Sequence, residues 1–235
     1  MILSASLSIG AVDAWAQCAA LDAMVAKQRD NLMRLLPCLK DPGCPSLIET
    51  EDLGRTCRST THVWARSNDG RFAVIRDLKM CTNGAGPHDE SFVHGLAIPL
   101  APLSGVEDDR VYSAPEQNGI WRLAWESALA KGLREEEIAL VINPPGNRSQ
   151  NLLHVHVVRR NQAPLPAGIE IADLANVWQQ AALLGKDIPC RNYGIVVTRN
   201  GGSFRLLVEE GDANPRINPE GKYTVEQRDR GPAVR

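Results

Sequence analysis

The run RSQNLLHVHVV, residues 148–158, sets two imidazoles two positions apart among aliphatic side chains. Successive side chains of a β-strand point to opposite faces, so His154 and His156 share one face while Leu153, Val155 and Val157 share the other. The turn entering this strand carries Arg148, Ser149, Gln150 and Asn151, all able to donate hydrogen bonds. Three chemistries suit such a pair. As metal ligands the histidines need further ligands and partners behind them. Residues 148–160 contain no carboxylate, and His62, His88 and His94 are scattered through an earlier segment. As structural residues they would sit on a half-buried strand. In the third chemistry one imidazole attacks phosphorus and the other orients it. A neutral imidazole, with an unperturbed pKa of about 6.5, offers a lone pair at pH 7. Attack on a phosphoanhydride gives a phosphoramidate that water can cleave, so one hard step becomes two. The donors of the turn would then meet the developing charge on the phosphoryl oxygens. This route implies no metal and no organic cofactor.

The elements that must position these groups follow from pattern and punctuation. Apolar spacing predicts a helix over residues 17–36, ended by Pro37, then a short helix or turn near SLIETEDLG. THVWARS and RFAVIRDL read as a hairpin turned at Asn68-Asp69-Gly70, and HGLAIPL as another strand. Residues 101–119 read as loop. IWRLAWESALAKGL is an amphipathic helix whose Trp121 and Trp125 face the core. IALVIN and the histidine strand form an antiparallel pair around a Pro/Gly turn. A further helix spans 170–184, and YGIVVTR and SFRLLVE make a second hairpin. The glutamates at 135–137 read as a solvated helix start. Residues 211–235 read as an irregular tail.

The whole chain has 26 basic and 28 acidic residues, a net charge of −2, which argues against a nucleic-acid-binding surface. Its apolar start, with Ala14-Trp15-Ala16 before Gln17, fits a truncated export signal over residues 1–16. Six cysteines, at 18, 38, 44, 57, 81 and 190, all follow that point, and no CxxC pair suggests zinc. An even number fits disulfides in an oxidising compartment. Export to the periplasm, free or on the periplasmic side of the inner membrane, is the expected location.

QNLLHVHVV resembles the histidine-triad signature, in which a glutamine is followed four positions later by histidines alternating with apolar residues. INPPGNRSQNLLHVHV is more closely similar to the motif of bacterial CDP-diacylglycerol pyrophosphatases, a branch of that superfamily. The blocks WRLAWESA and NYGIVVTRNGGSFRLLVE agree, and the resemblance covers roughly Asp77 to Glu210. The signature's third histidine is Val158 here, and the branch itself resembles this sequence in lacking it. The resemblance implies an α+β fold: a histidine-triad-like antiparallel sheet with flanking helices, preceded by a helical, cysteine-containing segment, in one domain over 17–210. It implies hydrolysis of CDP-diacylglycerol to CMP and phosphatidate, with a membrane surface met through the substrate and no protein partner. It casts His156 as the nucleophile and His154 as an orienting and phosphate-binding group. Gln150, Ser149, Arg148 and Asn143 match its substrate-binding positions, and Asn151 stands with them as a donor. The alternatives are a nucleotidylyl hydrolase or transferase acting on a soluble conjugate, or a non-catalytic paired-histidine protein that binds metal or nucleotide.

Overall fold

Among the described residues, β-branched and aliphatic runs separated by turn residues pair into a nine-stranded sheet. Its strands are β1 (Leu47–Glu49), β2 (Thr60–Arg66), β3 (Phe72–Arg76), β4 (His94–Pro99), β5 (Ile138–Ile142), β6 (Val155–Arg159), β7 (Ile169–Ile171), β8 (Tyr193–Asn200) and β9 (Ser203–Glu210). The order across the sheet is β1-β2-β3-β4-β6-β5-β8-β9-β7, and every pairing is antiparallel. The helices are α1 (Ile9–Val25), α2 (Leu36–Lys40), α3 (Arg110–Ser113), α4 (Gly119–Ala130), α5 (Val177–Leu184) and α6 (Pro219–Tyr223). This computed structural model describes residues 9–49, 60–77, 93–161, 164–212, 214 and 217–224. The fold is thus mixed helix and antiparallel sheet, as expected.

The two hairpins turn where the sequence places them. Gly70 and Gly201 sit at φ +67° and +58°, a left-handed conformation that side chains with a Cβ disfavour. On one face of the sheet α4 lays down Ile120, Trp121, Ala124, Trp125 and Ala128 against Leu140, Val155, Val157 and Ile195. Trp121 meets Trp178 of α5 edge-on at 5.1 Å between ring centroids. Both tryptophans expected in the core are there. The opposite face carries two separate apolar patches. Leu32, Leu36 and Leu39 of the N-terminal segment cover Ile75, Leu96 and Ile98. Tyr223 of α6 covers Ala139, Val141, Val158 and Val196.

Several elements depart from the sequence reading. Pro37 does not end a helix but stands in the first turn of α2, where its missing N–H costs nothing. Leu47–Glu49 extends as β1 because it finds an edge to pair with on β2. The expected loop 101–119 contains α3 and a 3-10 turn at Pro115–Asn118. The helix expected over 170–184 begins only at Val177. Ile169–Ile171 is drawn into the sheet beside β9, and the Asp173 side chain accepts from the Ala175 N–H at 2.8 Å to start the turn that follows.

Among the described residues two disulfides form, Cys18–Cys190 from α1 to the turn before β8, and Cys38–Cys44 from α2 to the turn that follows it. Cys57 and Cys81 lie outside the described residues. Among the described residues no helix is long and apolar enough to cross a membrane. Within the segment expected to be irregular, α6 docks its Pro219 over Gly194. A Cβ at Gly194 would fall 2.8 Å from Pro219 Cγ and 2.6 Å from the Ile142 carbonyl oxygen, so only glycine permits that approach.

Candidate active site

β6 lies between β4 and β5, covered on both faces, and its pleat sorts the motif as the sequence requires. Leu153, Val155 and Val157 enter the α4 core, while His154 and His156 point to the other face. In register, His156 lies opposite Leu96 on one side and Val141 on the other. Their rings meet edge-on, 4.9 Å between centroids. His154 precedes the strand, and its Nδ1 lies 2.7 Å from the Leu152 carbonyl oxygen, so that nitrogen carries the proton. Both imidazoles are buried.

Three residues that sequence reading missed close the site. Asp77, directly after β3, His94, which opens β4, and Glu220 of α6 bring one ligand atom each to His156, and these atoms all lie within 4.8 Å of one another. His94 Nε2 stands 3.1 Å from His156 Nδ1, 3.2 Å from Asp77 Oδ2 and 3.4 Å from Glu220 Oε1. On the other edge of the ring, His156 Nε2 stands 3.3 Å from Asn143 Nδ2 and 3.3 Å from Glu220 Oε2. Asn143 donates to Glu220 Oε2 at 2.9 Å and accepts from the Glu220 backbone N–H at 3.1 Å. Residues 148–160 hold no carboxylate, but Asp77 and Glu220 reach the histidines from distant parts of the chain. Strand pairing carries in Asp77, whose N–H donates to the His94 carbonyl at 2.8 Å, and α6 carries in Glu220. A histidine opening a short apolar strand was the only local signal; the two acids gave none.

Of the residues expected to bind substrate, Asn143 joins the histidines, while Arg148 and Asn151 take other partners. Arg148 makes a two-pronged pair with Glu107, one bond measuring 3.0 Å, and donates Nε–H to Gln28 Oε1 at 3.0 Å. Asn151 donates to Asp30 Oδ1 at 2.8 Å. The Arg29 N–H donates to the Ser149 carbonyl at 3.1 Å, and the Asn151 N–H to the Arg29 carbonyl at 3.0 Å. Residues 28–30 thus strap the turn down, and Ser149 is exposed beside them. Gln150 Oε1 is buried with no hydrogen-bond partner among the described residues.

Burial holds the His154 imidazole below its ordinary pKa of 6.5. The Leu152 carbonyl opposes that shift, the Arg148 charge adds to it, and the charges of Glu220 and Asp77 oppose it. His154 therefore folds neutral, while in the unfolded chain it takes a proton below about 6.5. Its contribution to stability is fully present above pH 6.5 and is lost as pH falls from there through the lower folded value. Denaturation midpoints measured from pH 8 to 5 should fall more steeply for the wild type than for His154→Asn. Parallel curves would show that burial of this ring does not control acid stability.

The atoms around His94 Nε2, at 3.1–3.4 Å, have the spacing of ligands on a tetrahedral centre with bonds of about 2.0–2.1 Å. Asp77, His94, His156 and Glu220 could thus hold a divalent cation. The Asn143 amide stands on the opposite edge of the His156 ring, beside Nε2 and Glu220 Oε2, and does not enter that group of atoms.

A family model described as CDP-diacylglycerol pyrophosphatase matches residues 88–217, more than half of the chain. The match includes His94, Asn143, His154 and His156 and leaves Asp77 and Glu220 outside it. A CDP-diacylglycerol pyrophosphatase of Yersinia pestis is 27% identical over 175 residues, covering 71% of this chain and 61% of that protein. One of Mycobacterium bovis is 33% identical over 67 residues, 26% of each chain. A probable one of Mycobacterium leprae is 35% identical over 68 residues, 26% of this chain and 25% of that protein. The chain thus spans about three fifths of the Yersinia relative and about a quarter of the mycobacterial ones.

Proposed function

The chain belongs to the CDP-diacylglycerol pyrophosphatase family, and from that premise we propose that it hydrolyses the pyrophosphate of CDP-diacylglycerol to CMP and phosphatidate. His156 Nε2 attacks the cytidylyl phosphorus, the bond from that phosphorus to the bridging oxygen breaks, and phosphatidate leaves. Water then attacks the same phosphorus, the P–N bond breaks, and CMP departs with release of a proton. The observation that carries this reading is the meeting of His156 Nε2 with the Asn143 amide at 3.3 Å, inside the family-matched span. Asn143 now donates to the Glu220 carboxylate; with substrate bound, a phosphoryl oxygen takes that place and Glu220 swings off Nε2. His154 supports the ring of His156, and a bound anion favours a proton on its Nε2, turning it into a phosphate donor. A histidine-triad-like ancestry, removal of residues 1–16, export to the periplasm and contact with the membrane through the lipid substrate complete the proposal. The disulfides of residues 18, 38, 44 and 190 support an oxidising compartment.

Product analysis tests the reaction. CDP-diacylglycerol should yield CMP and phosphatidate, faster than a soluble dinucleotide is cleaved. Cleavage of the soluble conjugate alone would transfer the activity to that substrate class.

The buried cluster favours one second reading, a metal-dependent site. The covalent route needs only donors, so hydrolysis should survive excess EDTA with less than a two-fold loss. Activity lost to EDTA and restored by one equivalent of a divalent ion would replace the covalent route with the metal one.

A further inference from the structure

Four ligand atoms converge on the Nδ1 edge of His156, the edge turned away from Asn143. Asp77, His94, His156 and Glu220 bring one each, all within 4.8 Å of one another. His94 Nε2 centres the set, 3.1 Å from His156 Nδ1, 3.2 Å from Asp77 Oδ2 and 3.4 Å from Glu220 Oε1. His94, His156 and Glu220 are buried, and Asp77 is 9% exposed. We propose that this cluster is an inhibitory site for a zinc-like divalent ion, which silences the nucleophile by taking its Nδ1 lone pair; the inhibition rests on the covalent reading above.

The donor set chooses the ion. Two imidazole nitrogens and two carboxylate oxygens at this spacing suit four-coordinate Zn²⁺, while Ca²⁺ and Mg²⁺ favour larger, all-oxygen shells. A divalent ion also offsets the charge of two carboxylates meeting in a buried site. In the ion-free protein the carboxylate oxygens beside His94 Nε2 keep a proton there, and it donates to His156 Nδ1. An entering ion takes the place of that proton, which passes to solvent. A neutral imidazole has one ring nitrogen with a lone pair and one with a proton. With Nδ1 on the ion, the His156 proton stays on Nε2, and that nitrogen cannot attack phosphorus. In the ion-free protein the ring can exchange its proton between nitrogens as Glu220 swings off; with Nδ1 held it cannot. The ion also holds Glu220 by Oε1, while Oε2 stays 3.3 Å from His156 Nε2 and accepts from the Asn143 amide at 2.9 Å. The phosphoryl oxygen is thereby denied its place. Both effects close the site.

Titration of the full chain with Zn²⁺ and Co²⁺ tests the site, first without substrate. Wild type should bind one equivalent of either ion and show the intense visible bands of four-coordinate cobalt. Hydrolysis should then fall to background in proportion to the zinc bound and return on addition of EDTA. Mg²⁺ and Ca²⁺ should neither bind nor inhibit. Asp77→Asn, isosteric with the acid, and His94→Gln should weaken zinc binding and raise the inhibiting concentration together. The loss should be at least the about 10–100-fold typical of a missing outer-shell partner. Absence of the cobalt bands in wild type, or unchanged affinity in both variants, would overturn the site. Binding without inhibition would overturn its role, as would zinc restoring activity to EDTA-treated protein. The cobalt spectrum does not depend on turnover. An inactive wild type, or an active His156→Ala, would thus count against the covalent reading, while the spectrum would still judge the site.

Discussion

Replacing His156 with alanine is expected to abolish the covalent cytidylyl-enzyme and to reduce hydrolysis to background. The loss should be the largest of any single substitution, because the reacting atom itself is removed. Asn143 holds no lone pair suited to phosphorus, and His154, with its Nδ1 proton held by the Leu152 carbonyl, meets the bound anion with a second proton on Nε2. His154→Ala should instead leave a slow enzyme, lower by about 10²–10³-fold, the usual effect of one lost transition-state donor. Gln150→Ala should show a milder form of that defect. Rapid quench with substrate labelled in the cytidylyl phosphate, followed by mapping of the modified residue, distinguishes the two histidines. Label on His154, or near-wild-type turnover by His156→Ala, would reverse or remove the assignment.

The second large effect concerns stability. Arg148 is 2% exposed at its side chain and paired to Glu107, which is 25% exposed. Gly105 makes room for this pair, since a Cβ there would fall 1.9 Å from Arg148 Nη1. Glu107→Ala leaves the guanidinium buried with its charge unmet, a change that costs about 3–5 kcal/mol in well-buried pairs. Partial exposure of Glu107 places the expectation near the lower end, about 3 kcal/mol, or a Tm lower by roughly 6–12 °C. Joint replacement by Arg148→Met and Glu107→Leu should recover most of it, because no lone charge is left inside. The same double variant assays the substrate-binding role proposed for Arg148. Retained hydrolysis would make the arginine a strut for the turn that leads into β6, and a large rise in KM would make it a phosphate contact. A Glu107→Ala protein as stable as the wild type would show that Gln28 and solvent suffice for the guanidinium.

What the sequence determined by itself is whatever depends on neighbours in the chain. Period-two alternation decided which face His154 and His156 share, because the pleat obliges it. Asn68-Asp69-Gly70 and Gly201 decided where two hairpins turn, because few residues accept positive φ. The tryptophan spacing of α4 decided its buried side for the same local reason. Other assignments depended on pairing partners. Leu47–Glu49 and Ile169–Ile171 are strands because open sheet edges were there to receive them, and three residues carry too little preference to decide alone. The companions of His156 were wholly tertiary. Asp77 and His94 stand 17 positions apart in the sequence and become neighbours through the β3–β4 pairing, while Glu220 arrives on a five-residue helix that docks only because Gly194 leaves room for Pro219. Arg148 was legible as a cation beside the motif, but the direction of its guanidinium was settled by Glu107, 41 residues away. A side chain's identity is written in the chain; its hydrogen-bond partner, when distant, is chosen by the register of the sheet.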